Sequence, residues 1–313
     1  MMVSTREAYG KALVQLAERY DFYVLDADLA KATQTVHFGR EHPERFLDLG
    51  IAESNLMSFA AGLSTCGTPV FASTFAAFAA GRAYDQVRNS IAYANCNVKI
   101  GATHGGVMIG EDGGSHQCIE DLALMRAIPG MTVICPADAV ETRACVEEAL
   151  RHRGPVYLRF GRFATPTVYA EDACAFKIGK ANVLRDGTDV TIAAVGHMVS
   201  QAMLAAQTLE EQGVSAAVLD MASVKPIDAD LIESYAQKTG FLVTCEDHNV
   251  MGGLGGAVAE VAAKRCPVKM ALIGVQDAFG RSGSPDALAK VYGLDVHTIV
   301  NTINKGLGRN TES

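Results

Sequence analysis

Short apolar runs alternate with longer stretches of helical periodicity along the first half of the chain. This alternation is typical of parallel α/β folds, and runs without polar interruptions indicate strands that helices cover on both faces. The predicted strands are Phe22–Leu25, Phe46–Leu49, Val70–Ala72, Val98–Ala102, Thr132–Cys135 and Val156–Phe160, and the predicted helices are Arg6–Glu18, Tyr84–Tyr93, Cys118–Met125 and Val140–Arg151.

The pattern weakens over Phe163–Asp186, where Pro166 and a mixed polar run precede an Asp-Gly turn. It then resumes, and a second series of strands is predicted at Val190–Val195, Ala216–Leu219, Phe241–Thr244 and Val268–Ile273. At roughly 150 residues per domain, a chain of 313 residues suits two domains. The sequence therefore predicts an α/β fold with two parallel-sheet domains, residues 1–165 and 187–313, joined by a linker over 166–186.

Composition narrows the classes of function. Apolar residues make up 49% of the chain and the formal net charge is -8, which favours a folded protein without a basic surface for nucleic acid. The N-terminus lacks an apolar signal segment, and Gly67 and Pro69 interrupt the uncharged stretch 54–81, so we expect no membrane span. Eight cysteines without a CxxC pair indicate reduced thiols in a cytoplasmic protein rather than a zinc site.

Two motifs follow predicted strands in the first domain. In DLGIAESN, Glu53 opens an apolar helix at the carboxyl edge of the sheet, where open α/β folds place ligands. It suits a proton relay, although the residue taken alone favours the alternative, an acidic helix start that interacts with the helix dipole. In FASTFAAFAAGRAYDQ, Phe75 and Phe78 share one helical face, as core packing or as a wall for a flat heterocycle.

A glycine-rich loop follows the strand that ends before His104, in GATHGGVMIGEDGGSHQ. Glu111, Asp112 and His116 lie within it, and together with His104 they offer proton donors, acceptors and partners for hydroxyl groups. Metal binding is the alternative, although the spacing fits no common zinc pattern. Arg162, in GPVYLRFGR, follows another strand and either holds a phosphate bidentately or is a solvated surface residue.

The order and spacing of these motifs resemble the transketolase family. The matching segments are GIAESN, STF with a second phenylalanine three residues on, THGGVMIGEDGGSHQ and GPVYLR. The resemblance covers essentially the whole chain, as a pyrimidine-binding domain followed by a C-terminal domain. Its GEDG-x-x-H loop is similar to transketolases rather than to the β subunits of 2-oxoacid dehydrogenases, whereas RAYDQ is similar to deoxyxylulose-phosphate synthase.

The resemblance implies that this chain binds the pyrimidine ring of thiamine diphosphate. Glu53 matches the family's glutamate that hydrogen-bonds the ring nitrogen. Phe75 and Phe78 match the aromatic wall around the ring, and Gly81 stands in place of a third aromatic residue. Asp28, in DADLA, matches an aspartate near the cofactor and the subunit interface.

The resemblance also implies roles in substrate binding. His104 and His116 match histidines that contact the donor and acceptor sugars, and that we also count as catalytic, while Asp112 matches the acid that reads a sugar hydroxyl. Arg162, together with Arg6 in STREA, matches the arginines that hold the substrate phosphate. No residue of this chain is expected to bind a metal ion.

Two features separate the chain from full-length transketolases. Ala32 replaces a serine that helps to bind phosphate, so the donor is open between an ordinary, a branched and a sulfonated ketose. The GDG motif and the asparagine that hold Mg²⁺ (or Ca²⁺ or Mn²⁺) and diphosphate are absent from the sequence. We therefore expect an N-terminal-half (A) subunit of about 270 residues to supply them in an α2β2 assembly.

The leading hypothesis is a B subunit of a two-subunit transketolase, a transferase active only with its partner, that moves a glycolaldehyde unit from a ketose to an aldose phosphate. A subunit of a deoxyxylulose-phosphate-synthase-like or 2-oxoacid-decarboxylating thiamine enzyme is the second hypothesis, and a non-catalytic scaffold is the third. The second domain carries no assigned chemistry. Its GGLGG, at 252–256, favours close helix packing over a dinucleotide loop, and His248 is either an interface or ion-site residue or a partner of local backbone groups.

Overall fold

The computed structural model describes residues 2–171 and 174–309. Its strands are, in chain order, β1 (Met2–Ser4), β2 (Tyr23–Asp26), β3 (Phe46–Asp48), β4 (Val70–Phe75), β5 (Val98–Thr103), β6 (Thr132–Ile134), β7 (Val156–Arg159), β8 (Ala164–Pro166), β9 (Asn182–Arg185), β10 (Val190–Ala194), β11 (Ala216–Asp220), β12 (Ser223–Lys225), β13 (Phe241–Asn249) and β14 (Lys269–Val275).

The helices between these strands are mostly α-helical. They are α1 (Thr5–Leu16), α2 (Ala30–Thr33), α3 (Val36–Glu41), α4 (Glu53–Ser64), α5 (Tyr84–Gln86), α6 (Asp121–Ala127), α7 (Ala139–Arg151), α8 (Met198–Glu211), α9 (Ala229–Thr239), α10 (Leu254–Arg265), α11 (Pro285–Tyr292) and α12 (Val296–Gly306). A 3₁₀ turn covers Pro43–Arg45, and π-helical segments cover Phe78–Arg82 and Val87–Ala92.

Two sheets organise the chain. The larger has seven strands in the order β12-β6-β7-β5-β4-β2-β3, and the smaller has five in the order β14-β13-β10-β11-β9. Neighbours pair in parallel except for one edge strand in each sheet, β12 on β6 and β9 on β11. β1 and β8 form a separate antiparallel ribbon. The predicted fold class, α/β with two parallel-sheet domains, is confirmed.

Helices cover both faces of the larger sheet because its strands are apolar on both sides. Adjacent strand residues point to opposite faces, so Phe71 packs with Tyr9 and Leu13 of α1, whereas Ala72 packs with Leu56 of α4. Each strand is thus a continuous buried run, as the sequence predicts. Among the described residues, no helix is long and apolar enough to cross a membrane.

The carboxyl ends of the parallel strands meet at one edge, which positions the site. Asp26 of β2 pairs with Ser73 of β4, and Phe75 of β4 pairs with Thr103 of β5. The chain leaves β2 toward β3 on one side and returns to β4 on the other. The crevice beside β2 and β4 is therefore a topological switch point, the usual ligand position in open α/β sheets.

Each strand predicted from the apolar runs is present, with ends that shift by a few residues. The four short strands β1, β8, β9 and β12 are not predicted, and the predicted helix Tyr84–Tyr93 is a short α-helix followed by a π-helix. β9 lies within residues 166–186, the segment interpreted as a linker. The domain bounds 1–165 and 187–313 stay a prediction.

Candidate active site

An aromatic cluster, comprising Phe75, Phe78, His104 and His116, lies at the carboxyl edge of β4 and β5. The ring of Phe75 stacks on His104 at 3.9 Å between centroids, and on Phe78 at 5.6 Å with an interplanar angle of 16°. The His116 ring meets Phe75 and Phe78 edge-on, at 6.3 and 5.7 Å. The structure therefore brings together four predicted site residues from two separate segments of the sequence.

His104 is held in one protonation state. A guanidinium only donates hydrogen bonds, so Arg6 Nη1 donates to His104 Nε2 at 3.3 Å. The ring proton then lies on Nδ1, which donates to Thr103 Oγ1 at 2.8 Å. Burial, followed by the charges of Arg6, Arg162 and His116, lowers the pKa of His104 to about 3. The imidazole is therefore neutral near pH 7, with Nε2 as an acceptor.

The backbone of His104 is strained. Its φ is 61°, in the left-handed region that side chains other than glycine rarely adopt. The conformation turns the ring back over Phe75 immediately after β5 ends. Such strain persists where the surroundings fix it, and it clusters at functional sites.

Glu53 opens α4, as predicted, and its side chain is 2% exposed. Arg82 Nη1 donates to both of its carboxylate oxygens, at 2.9 and 3.0 Å. The same guanidinium lies over the ring of Phe78, 4.5 Å from the centroid, and its side chain is 52% exposed. The buried carboxylate is thus held by a cation that is free to move into solvent.

Sequence reasoning missed Arg82. Arg82 lies in RAYDQ, the segment that is similar to deoxyxylulose-phosphate synthase, and this similarity was the available sign that the residue matters. Arg82 ends the π-helical segment Phe78–Arg82, and π-helical turns are frequent at functional sites. Gly81 beside it is exposed, and a Cβ there would meet nothing within 4 Å. The position of the family's third aromatic residue is therefore open space in this chain.

Two arginines converge near His104. Arg6 Nη1 donates to the carbonyl of Ala32 at 2.9 Å, and burial, followed by the charge of Arg162, lowers the pKa of Arg6. Arg162 Nη1 donates to Asp112 Oδ2 at 2.7 Å and to the Ile109 carbonyl at 2.5 Å. Two neighbouring guanidiniums, one of which lowers the pKa of the other, suit a bound phosphate or sulfonate.

Asp112 and His116 lie on residues 105–117, which we call the substrate loop. A bridge between Gly106 and Cys118 closes the loop at its base. Asp112 is exposed apart from its contact with Arg162, and His116 Nδ1 lies 2.9 Å from Ser115 Oγ. Glu111 is exposed beside them. The loop thus presents one acid and one imidazole on the side of the aromatic cluster.

Asp28 follows β2 at the same edge, with φ 61° and an exposed side chain. Its own backbone N–H donates to Asp48 Oδ1 at 2.9 Å. The buried acid of this segment is Asp26, whose carboxylate accepts from Leu29 N and from the hydroxyls of Thr33 and Thr35, and burial raises its pKa to about 6. Sequence reasoning did not single out Asp26, because its burial depends on the fold of α2.

The glycines 252–256 pack a helix close to the smaller sheet. Glu246 is fully buried and accepts from Leu254 N and Gly255 N at the start of α10, both at 2.7 Å. His248 uses both ring nitrogens, since Nδ1 donates to the Asn249 carbonyl and Nε2 accepts from Ala123 N. This helix start is filled by the chain's own carboxylate, and His248 satisfies local backbone groups.

Metal ligation has little support in the described part of the chain. Within residues 2–171 and 174–309, no group of three or more His, Cys, Asp or Glu side chains is arranged to hold a metal ion. All eight cysteines carry free thiols, and five of them are buried.

Comparison with known proteins agrees with this geometry. The family pattern described as the transketolase pyrimidine-binding domain matches residues 1–167, and that described as the transketolase C-terminal domain matches residues 179–299. A protein of Methanocaldococcus jannaschii described as a putative transketolase C-terminal section is 48% identical over 95% of this chain and 94% of its own length.

Two further relatives are named as transketolase subunits. The 6-deoxy-6-sulfo-D-fructose transketolase subunit SqwH of Clostridium is 42% identical over 96% of this chain and 93% of its own length. The B subunit of an apulose-4-phosphate transketolase of Phocaeicola vulgatus is 38% identical over 96% of both chains.

A solved structure described as a split-gene transketolase, in an inactive β4 tetramer, superposes on this chain with a TM-score of 0.92 at 52% identity. The match covers 99% of this chain and 100% of that one. Both domains, the whole length and the order of the motifs are thus shared, and the chain belongs to the transketolase family.

Proposed function

We propose that this chain is the B subunit of a two-subunit transketolase, which transfers a two-carbon glycolaldehyde unit from a ketose to an aldose phosphate. The observation that carries the proposal is the convergence of an aromatic cluster, two arginines and a buried glutamate at one sheet edge. A scaffold would have no need of a strained, neutral histidine wedged between an arginine and a phenylalanine.

Thiamine diphosphate fits the residues present. Glu53 is a buried carboxylate whose partner, Arg82, is half exposed, so a pyrimidine nitrogen can share the carboxylate. The nearly parallel rings of Phe75 and Phe78 offer flat surfaces beside it. When bound, the cofactor supplies the carbon nucleophile and the electron sink for breaking a carbon–carbon bond, while Glu53 holds the proton at the ring nitrogen.

The other residues recognise the sugar. His104 presents Nε2 as an acceptor for a hydroxyl once Arg6 turns from it toward the anionic end of the substrate, and the low pKa that burial gives the imidazole keeps it neutral. Asp112 and His116 bind a further hydroxyl, and we propose that both histidines move protons to or from sugar oxygens. Arg6 and Arg162 hold the anionic end of the substrate, once Asp112 releases Arg162.

We propose that an N-terminal-half (A) subunit completes the enzyme in an α2β2 assembly. The metal ion and the diphosphate would be held by that partner. Two observations support this: relatives of the same length are named as subunits or sections, and the structural relative is described as an inactive β4 tetramer. This chain by itself would then be inactive.

The donor is an ordinary ketose phosphate or a specialised ketose, and one substitution at the anion site bears on the choice. Ala32, which replaces the family's serine, lies directly beside Arg6, whose guanidinium its carbonyl binds. A hydroxyl that helps with phosphate is thus missing at the anion site. The relatives named for a sulfonated and a branched sugar make such ketoses the donors to test first.

The test is reconstitution. The chain is co-expressed with the candidate N-terminal-half subunit, supplied with thiamine diphosphate and Mg²⁺, and offered a panel of ketoses with ribose 5-phosphate or glyceraldehyde 3-phosphate. Two-carbon transfer that requires both subunits supports the proposal, and the donor profile names the substrate. Carbon dioxide release from pyruvate without any ketose activity refutes it, and so does full activity of the Glu53→Ala complex.

A further inference from the structure

The substrate loop is held by the second domain at its base. Asp247, 2% exposed on β13, accepts from Val107 N at 2.9 Å and from Met108 N at 3.3 Å. Gly106, with φ 85°, comes so close that a Cβ there would lie 2.0 Å from Asp247 Oδ2. Only glycine allows this approach, so the loop's first turn is shaped around a carboxylate of the other domain.

The C-terminal part of the loop is held by a second segment, residues 280–282, between β14 and α11. Gln117 Nε2 donates both to the Val107 carbonyl at 2.8 Å and to the Arg281 carbonyl at 2.9 Å. A Cβ on Gly280 would lie 1.7 Å from Gln117 Oε1, and one on Gly114 would lie 2.7 Å from the Gly280 carbonyl. Backbone therefore packs on backbone across the domain boundary.

Behind the loop there is free space. A cavity of about 260 Å³ lies between the domains, lined by Gly105 and Met108 of the loop and by His197 of the second domain. His197 Nε2 is buried and has no hydrogen-bond partner there. The second domain thus contacts the loop at Asp247 and at residues 280–282, and Arg162 of the first domain contacts it at Ile109 and Asp112. The two contacts from the second domain help to set where Asp112 and His116 lie.

We propose that Asp247 and residues 280–282 are positioning residues for sugar recognition, and that the second domain acts in catalysis by holding the substrate loop. The inference rests on the proposed function, because it assigns the loop's Asp112 and His116 to the sugar. It gives a role in the active site to a domain whose own sequence carries no chemistry.

The test compares two alanine substitutions in one segment, measured in the reconstituted complex. Gly280→Ala forces the Gln117 side chain away, whereas Gly283→Ala is the matched control, since its Cβ would only touch Leu288 at 3.3 Å. We expect Gly280→Ala to raise the KM for the sugars about tenfold, with kcat changed less than about threefold, because misplaced binding groups lower affinity first. Gly283→Ala should leave both constants unchanged.

Hydrogen exchange of the chain alone gives a readout that does not depend on turnover. Amides of 106–117 should exchange faster in Gly280→Ala than in the parent, with the thermal midpoint of the rest of the chain preserved. If these amides exchange faster in Gly280→Ala but the parent complex transfers no two-carbon unit, the contact between the loop and residues 280–282 is supported and only the proposed function is refuted. Unchanged exchange together with an unchanged KM would overturn the positioning role.

A further variant keeps the proposal testable if Gly280→Ala folds poorly. Asp247→Asn removes one acceptor while keeping the size of the side chain, and it should raise the same KM and speed exchange of the same amides. A KM and an exchange rate that both stay at the parent values in Asp247→Asn contradict the proposal.

Discussion

Two buried glutamates lie beside helix starts at the carboxyl edges of the two sheets, Glu53 as the first residue of α4 and Glu246 on β13 beside α10, and they differ in what holds them. Glu53 is held by Arg82, a side chain that is 52% exposed. Glu246 is held by the backbone N–H groups of Leu254 and Gly255, which belong to the helix it caps. A side-chain partner can rotate away, whereas backbone donors are fixed, so only Glu53 can pass its hydrogen bonds to a ligand.

The same contrast extends over the two edges. At the larger sheet, Arg162 is tied to a carboxylate on a loop, and a substrate can replace that contact. At the smaller sheet, both ring nitrogens of His248 are hydrogen-bonded to backbone groups. The two edges therefore differ in whether their polar groups have mobile partners, which suits the larger sheet to the proposed ligand site and the smaller sheet to structural support.

The largest effect should come from Glu53→Gln. The amide keeps the shape but cannot hold a proton at the pyrimidine nitrogen, so we expect kcat of the reconstituted complex to fall by roughly 10²- to 10⁴-fold. Thermal unfolding of the chain should hardly change. Glu44→Gln, on the exposed surface, serves as the control. Activity within a few-fold of the parent in Glu53→Gln would contradict the role.

Glu246→Ala should instead act on stability. It leaves two buried N–H groups at the start of α10 without acceptors, which costs about 3 kcal/mol of the free energy of unfolding. Urea unfolding of the chain alone measures it. Glu260→Ala, on the solvent side of the same helix, should cost below about 0.5 kcal/mol, since its ion pair with Arg126 is at the surface. Equal losses in both variants would remove the distinction between the two glutamates.

Arg162→Lys should weaken binding of an anionic substrate end. The planar guanidinium is lost while the charge stays, and we expect the KM for the aldose phosphate to rise about tenfold, equivalent to roughly 1.4 kcal/mol. The same sugar without its phosphate should show no such rise. Arg151→Lys, an exposed arginine of α7, is the control. An equal rise with both sugars would place Arg162 outside the anion site.

His104→Asn should change how stability depends on pH. Burial lowers the pKa of His104 to about 3, so between about pH 3 and 6.5 the unfolded chain takes up a proton that the folded chain does not. The stability of the parent relative to His104→Asn is therefore greatest above about pH 6.5 and declines as the pH falls. We expect a relative loss of about 1 kcal/mol between about pH 7.5 and 6, measured by urea unfolding. A constant difference would show that His104 titrates normally.

The larger features of the fold could be predicted because they depend on local patterns. Continuous apolar runs marked the parallel strands, and the positions of Phe75 and His104 after predicted strands placed both at one edge. The helical face predicted for Phe75 and Phe78 is wrong, because Phe75 ends β4 and only Phe78 lies in the π-helical segment. The antiparallel edge strands were missed, since three- or four-residue segments such as β12 and β9 carry no periodicity of their own. Their pairing is decided by the neighbouring strand.

Contacts at the site could be predicted only between residues of the same sequence motif. Glu53 and Arg82 are 29 positions apart, and their ion pair follows from a π-helical turn that apolar spacing does not reveal. In the sequence, Gly280 is an ordinary loop glycine. Only the packing of one domain on the other shows that the Gln117 side chain leaves no room for a Cβ there. Side chains joined across separate loops need three-dimensional information.

The edge strand β12 has a consequence for how the protein is made. Ser223–Lys225 closes the larger sheet beside β6, although the ribosome delivers it after β9, β10 and β11 of the smaller one. Until then the nascent chain carries β6 with an uncovered edge, which can pair with a neighbouring chain. The larger sheet is therefore completed only after β9, β10 and β11 of the smaller sheet have been translated. Expressing residues 1–165 by themselves would leave the edge of β6 permanently open to self-association.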